Sequence, residues 1–174
     1  MTSLVFVYGT LKQGLPNHYL IEDKQSGICI PRGAAVTMEK YPLIIASEYN
    51  IPFMLFKPGR GHNITGELYE VDKIRLEKLD ELEAHPKLYE RLQIRVRVPS
   101  DDGKNDEENT LTAEAYLLVK FRHDLLNFQM MGTYGNHIEG KQYISPNSRG
   151  DFSNKWWSEV HTEYDNTNKT VVKS

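Results

Sequence analysis

Glu83 is the side chain whose place in the sequence calls most clearly for a chemical explanation. From Asp72 to about Ala84 the residues read as a helix, with Asp72 as N-cap and only good or neutral helix formers after it. At about 100° per residue, Leu76, Leu79 and Leu82 share one arc and Glu83 falls inside it. Glu77, Asp80 and Glu81 fall outside it, where acids on an amphipathic helix belong. Two readings stand. Either the helix ends here and Glu83 frays into solvent, or its carboxyl is held partly buried. In the second case desolvation disfavours the charged form, and the negative end of the helix pushes the same way. A carboxyl tuned toward neutral pH is suited to general acid and base work.

The second feature is Val5-Phe6-Val7-Tyr8-Gly9-Thr10-Leu11, an apolar run that stops abruptly at its glycine. Leu4 to Tyr8 reads as a strand buried on both faces. Gly9 lets a ligand approach the backbone closely and permits an unusual backbone angle, with Tyr8 and Thr10 framing the opening. Pro52 could carry a cis bond, although a trans proline at a strand entry is the ordinary case. Tyr89 and Tyr116 fall on expected strands, where tyrosine serves either the core or a site at its margin.

Other chemistries find little support. His18, His62, His85, His123, His137 and His161 form no H-x-H, H-E-x-x-H or Cys/His cluster. Gly9, Gly14, Gly59 and Gly61 make neither a dinucleotide fingerprint nor a P-loop. The single cysteine, Cys29, sits in no nucleophile motif and rules out an intrachain disulfide. That points to a reducing compartment, and a cytoplasmic location is expected. A formal net charge of -3 argues against an electrostatic nucleic-acid partner. No apolar run is long enough for a membrane span, and the N-terminus does not read as a leader. The sequons at Asn63 and Asn168 are therefore read as chance matches.

The elements that must position these residues are mostly strands. The length suits one ordinary domain with a real core. Asn17 to Glu22 reads as a turn or two of helix capped by Asn17. Ala34–Met38, Leu43–Ala46, Phe53–Phe56 and Ile64–Val71 read as strands between Gly and Pro breaks. Pro86 should stop the long helix. Leu88 to Val98 then alternates, with Leu92, Ile94, Val96 and Val98 on one side. Ser100 to Asn109 is acidic and reads as a solvated hairpin loop, followed by a strand over Ala113–Lys120. Helix and strand do not alternate, so a Rossmann-type sheet is not expected. The expected class is α+β, a small mixed or closed sheet with flanking helices. Residues 150–174 read as a loosely held, flexible C-terminal extension, although Trp156-Trp157 could dock.

Taken as a set, three stretches carry a resemblance. They are Tyr8-Gly9-Thr10-Leu11-Lys12, Asn50-Ile51-Pro52, and Leu79-Asp80-Glu81-Leu82-Glu83-Ala84-His85-Pro86-Lys87-Leu88-Tyr89-Glu90-Arg91. Together they resemble the gamma-glutamylcyclotransferase-like family, closest to its gamma-glutamylamine cyclotransferase branch. The similarity spans about residues 3 to 149. Tyr134 to Arg149, with Tyr143, Pro146 and Asn147, is similar to that branch's C-terminal segment.

The resemblance implies a domain over 1–149 folded as a small mixed β-barrel with flanking helices. It implies Glu83 as the catalytic residue and a substrate loop at Tyr8, Gly9, Thr10 and Leu11, with Tyr89 and Tyr116 as further substrate-binding candidates. The implied reaction is cyclisation of a γ-glutamyl amine or peptide to 5-oxoproline with release of the amine, such as lysine from γ-glutamyl-ε-lysine. No metal or organic cofactor is implied, the partner is the small-molecule substrate, and the chain is expected to act as a monomer. The alternatives are cyclisation of other γ-glutamyl peptides, glutathione among them, and a non-catalytic ligand-binding module on the same scaffold.

Overall fold

The structure is a computed structural model and describes residues 1–99, 109–135, 138, 140–151 and 153–164. Its strands are β1 (Ser3–Val7), β2 (Cys29–Tyr41), β3 (Leu43–Ala46), β4 (Ile51–Met54), β5 (His62–Val71), β6 (Glu90–Arg97) and β7 (Thr110–Leu117). The helices are α1 (Tyr19–Glu22) and α2 (Lys73–Leu82), with short 3₁₀ turns elsewhere. β1, β5, β2, β6 and β7 close into a barrel in that order, and β3 pairs with β4 as a separate hairpin. The barrel is mixed: β1 meets β7 in parallel at Val5 and Glu114, and every other seam is antiparallel. The expected class therefore holds. Among the described residues no helix is long and apolar enough to cross a membrane.

Alternation along the strands divides the core in two. Phe6, Ala35, Leu68, Ile94, Val96 and Ala115 bring all the barrel strands into one cluster, which fills the barrel. Val5, Val7, Tyr69, Val71 and Tyr116 point the other way, toward the hairpin, α2 and the C-terminal segment. β1 is thus buried on both faces, as its unbroken apolar run requires. Gly66 lies beneath β1, where an added Cβ would come within 2.4 Å of the Val7 carbonyl oxygen.

Several boundaries differ from the pattern-based ones. Strand β2 runs from Cys29 and β4 begins at Ile51, because ladder pairing extends through Gly33 and Pro52 where composition suggests a break. β7 runs over Thr110–Leu117 rather than to Lys120. The Ile51–Pro52 bond is trans, and the cis bond among the described residues is His85–Pro86. Asn17 does not cap α1 through its side chain; the cap position is His18. The acidic stretch 100–108 lies outside the described residues.

The segment after Gly150 is packed against the rest of the chain as far as it is described. Trp157 and Val160 are buried, and Phe121 forms a bridge with His161. The docking open to the tryptophan pair is therefore made by Trp157, which offers the apolar area that a polar tail lacks. Residues 165–174 lie outside the described residues.

Candidate active site

The long helix starts as its sequence requires. The Asp72 carboxylate accepts the Arg75 N–H at 2.8 Å. The buried face, however, is a stripe one turn apart: Arg75, Leu79 and then Glu83. Arg75 and Leu79 are buried, whereas Leu82 is 44 % exposed. Leu82 sits at the edge of the expected arc and at the open end of the helix, so it escapes cover. Arg75 lies within the same arc and was not singled out by pattern. Its guanidinium donates to the carbonyls of Leu20, Asp23 and Gly27, pinning the α1 region to α2.

The helix does not fray at Glu83. The Glu83 N–H donates to the Leu79 carbonyl, Ala84 N–H to Glu81, and His85 N–H to Asp80 at 2.9 Å. That is the Schellman pattern, with Ala84 in the left-handed position at φ 49° where glycine is usual. The chain then doubles back, and Lys87 and Leu88 donate to the Ala84 carbonyl. Glu83 is held on a braced turn, half-buried. Burial pushes its carboxyl from 4.5 up to about 7. Among the described residues no side chain forms an ion pair with it.

The expected substrate loop lies across the same cleft. Glu83, Tyr8, Gly9, Thr10, Leu11, Tyr89 and Tyr116 all line it. Gly9 does not use the unusual backbone angle that glycine permits; what favours glycine there is close approach, since a Cβ would stand 3.0 Å from Pro52 Cγ. The carbonyls of Gly9, Thr10 and Leu11 are occupied, by Lys12 N–H, Asn17 N–H and His18 Nδ1. Among the described residues no hydrogen bond uses the N–H groups of Gly9, Thr10 or Leu11. A stretch with engaged carbonyls and open N–H groups can receive a carboxylate or an oxyanion. The Leu11 side chain is itself core, 7 % exposed, so only its backbone can serve the cleft.

The tyrosines are distributed around Glu83. Burial raises the phenols of Tyr8, Tyr89 and Tyr116, and the charge of Glu83 adds to the rise in each. All three are neutral donors. Tyr8 spends its hydroxyl on the Tyr116 carbonyl at 2.6 Å. Tyr116 spends its own on Asp80 at 2.7 Å. Tyr89 makes only a long bond, 3.4 Å, to the Pro52 carbonyl, and its ring stacks on Phe53 at 5.5 Å. It is therefore the phenol with a proton most readily offered to a ligand.

Several supporting residues were not found by sequence reasoning. Asp80 also accepts from Arg91 Nε at 2.8 Å, linking α2 to β6 and β7. Asn17 Nδ2 donates to the Thr10 hydroxyl at 2.9 Å and to the Tyr143 hydroxyl at 3.0 Å. Tyr116 and Tyr143 lie 36 and 126 residues from these partners, and the nearer pairs, 11 and 7 residues apart, follow no simple helix or strand period. Among the described residues no group of His, Cys, Asp and Glu is arranged to hold a metal ion.

Comparison with known proteins adds to this geometry. Residues 5–136 match the family described as Gamma-glutamyl cyclotransferase, AIG2-like. A mouse protein named Gamma-glutamylaminecyclotransferase is 38% identical over 145 residues, covering 83% of this chain and 96% of the relative. A human protein of the same name is 46% identical over 106 residues, covering 61% of this chain and 69% of the relative. The crystal structure of an aig2-like protein from mouse superposes with a TM-score of 0.78 at 35% identity, covering 85% of this chain and 99% of that one.

Proposed function

This chain belongs to the gamma-glutamyl cyclotransferase, AIG2-like family and is a cyclotransferase enzyme, and on that premise we propose that its substrate is a γ-glutamyl amine such as γ-glutamyl-ε-lysine, cyclised with Glu83 as general acid and base. The observation that carries the proposal is the pairing of two things in one cleft. One is a carboxyl raised to about 7, and the other is the open run of N–H groups at Gly9 to Leu11.

The chemistry needs little else. The substrate's own α-amine attacks its γ-carbonyl carbon, forming the ring C–N bond. Glu83 takes the proton that the amine gives up. The tetrahedral centre then collapses, the γ-amide C–N bond breaks, and Glu83 returns that proton to the departing nitrogen. The products are 5-oxoproline and a free amine. N–H groups at Gly9 to Leu11 would hold the α-carboxylate or the developing oxyanion, and one such donor contributes about 3 to 4 kcal/mol to a transition state. Tyr89, with its weakly used hydroxyl, would add a neutral donor. Folding the glutamyl chain for attack on itself contributes through orientation. In this reading the chain works as a cytoplasmic monomer without a metal or organic cofactor.

The test is incubation with γ-glutamyl-ε-lysine, reading out 5-oxoproline and lysine. Wild type should release both, and Glu83→Gln should lose turnover by roughly 10²–10⁴-fold while keeping its fold. Full activity in that variant removes Glu83 from the role. Absence of release from any γ-glutamyl amine or dipeptide removes the reading.

A further inference from the structure

The chain past Gly150 lies beyond the family match, which ends at residue 136, yet it helps to build the cleft. Arg122 N–H donates to the Val160 carbonyl and Thr162 N–H to the Lys120 carbonyl, each at 2.8 Å. The Glu159 carboxylate accepts the Glu48 N–H at 3.0 Å. With Trp157 and Val160 in the core, these bonds fix the segment on two sides. Trp156 is thereby held half-buried on the same cleft as Glu83.

The surroundings of Trp156 have a definite chemistry. Its ring meets Tyr49 edge-on at 6.2 Å and lies 6.3 Å from Phe53, which stacks on Tyr89. The Arg149 guanidinium lies 4.4 Å from the Tyr49 ring centre and 5.6 Å from that of Trp156. Its Nε donates to the Ile144 carbonyl at 3.0 Å. Among the described residues its terminal nitrogens have no hydrogen-bond partner. A guanidinium held against aromatic rings, with its terminal nitrogens open, matches a carboxylate. The neighbouring cation, Lys155, lies 3.8 Å from Asp151, whose carboxylate also accepts the Ser153 N–H and hydroxyl. That pair is self-neutralising, whereas Arg149, like Lys87 elsewhere on the cleft, has no ion-pair partner among the described residues. Tyr89 lines the same cleft as Glu83 and Arg149, and its phenol feels the two with opposite sign. The cleft, about 1680 Å³, has room for more than a γ-glutamyl group.

We propose that Trp156 and Arg149 form the subsite for the departing amine, and that it takes an amine with an aliphatic stem ending in a carboxylate, as an amino acid has. Trp156 covers the stem and Arg149 receives the carboxylate. The proposal rests on the cyclotransferase reading above and makes the C-terminal segment the part of the chain that selects the amine.

The experiment compares three compounds on the full chain: γ-glutamyl-ε-lysine, γ-glutamylcadaverine (the same stem without the carboxylate) and γ-glutamylmethylamine (neither). Wild type should prefer the lysine compound over the cadaverine compound, and Arg149→Gln should shrink that preference by about tenfold or more, mainly through KM. Trp156→Ala should lower kcat/KM for both stem-bearing compounds relative to the methylamine compound, and Trp156→Phe should restore most of it. Equal handling of the lysine and cadaverine compounds by wild type overturns the proposal, and so do variants that lower all three in proportion. Absence of 5-oxoproline from all three is a failure of the cyclotransferase reading instead. In that event calorimetric binding of free lysine by the full chain, lost in Arg149→Gln, supports the subsite, and no binding overturns it.

Discussion

The Tyr8 hydroxyl donates to the Tyr116 carbonyl oxygen at 2.6 Å, and this bond ties the end of β1 to β7 beside Glu83. Among the described residues the two strands share a single ladder pair, Val5 with Glu114, so the side-chain bond reinforces a thinly paired parallel seam. Tyr8→Phe removes the donor and keeps the ring. Stability should fall by about 1 to 3 kcal/mol, because the carbonyl loses a buried partner. Urea unfolding would show a lower midpoint with an unchanged slope.

Glu83 also sets a pH dependence of stability. Its folded pKa of about 7 lies above the ordinary 4.5, so between those values the folded chain holds a proton that the unfolded chain has released. Folding stability therefore falls as pH rises from 4.5 to about 7 and is level above. The full penalty is at most about 3 kcal/mol. Glu83→Gln should be the more stable protein at pH 8 and should match wild type at pH 4, measured by thermal unfolding at each pH. Equal gains at both values would show that burial of the charge is not the cause.

In the proposed reaction the same ionisation governs activity. A carboxylate base works only when ionised, so kcat/KM for a γ-glutamyl amine should climb as pH rises through about 7. An acid limb near pH 4.5 would mean that the carboxyl is solvated in the free enzyme.

Ala84 holds the turn after Glu83 in the left-handed region at φ 49°, which costs an L-residue roughly 1 to 2 kcal/mol. Ala84→Gly relieves that cost and returns part of it through a freer unfolded chain. A net gain of up to about 1 kcal/mol is expected, read from the midpoint of denaturation.

Asn17 clamps Thr10 to Tyr143 in the lining of the cleft. Asn17→Ala should loosen the loop whose N–H groups are proposed to receive substrate. A rise in KM of about tenfold with little change in Tm is expected, since the affected bonds are only partly buried. A large fall in Tm instead would make Asn17 a structural residue.

What the sequence by itself determined is what short-range periodicity controls. Alternation in β6, the unbroken apolar β1 and the Asp72 cap each depend on neighbours within a few residues, and each is realised. The helical period of about 3.6 residues put Glu83 beside Leu79 but left fraying open, and the hydrogen bonds of the turn after it decided between the two. Tertiary structure decided the rest. Leu82 shares that arc but lies where the helix has no cover, and Arg75 shares it because three carbonyls elsewhere in the chain receive its guanidinium. Tyr8 and Tyr116 stand 108 residues apart, and Arg149 meets Trp156 only because Trp157 and Val160 anchor the chain's last described segment in the core. Such pairings follow from barrel closure and from burial of distant apolar groups, and neither leaves a fixed spacing in the sequence.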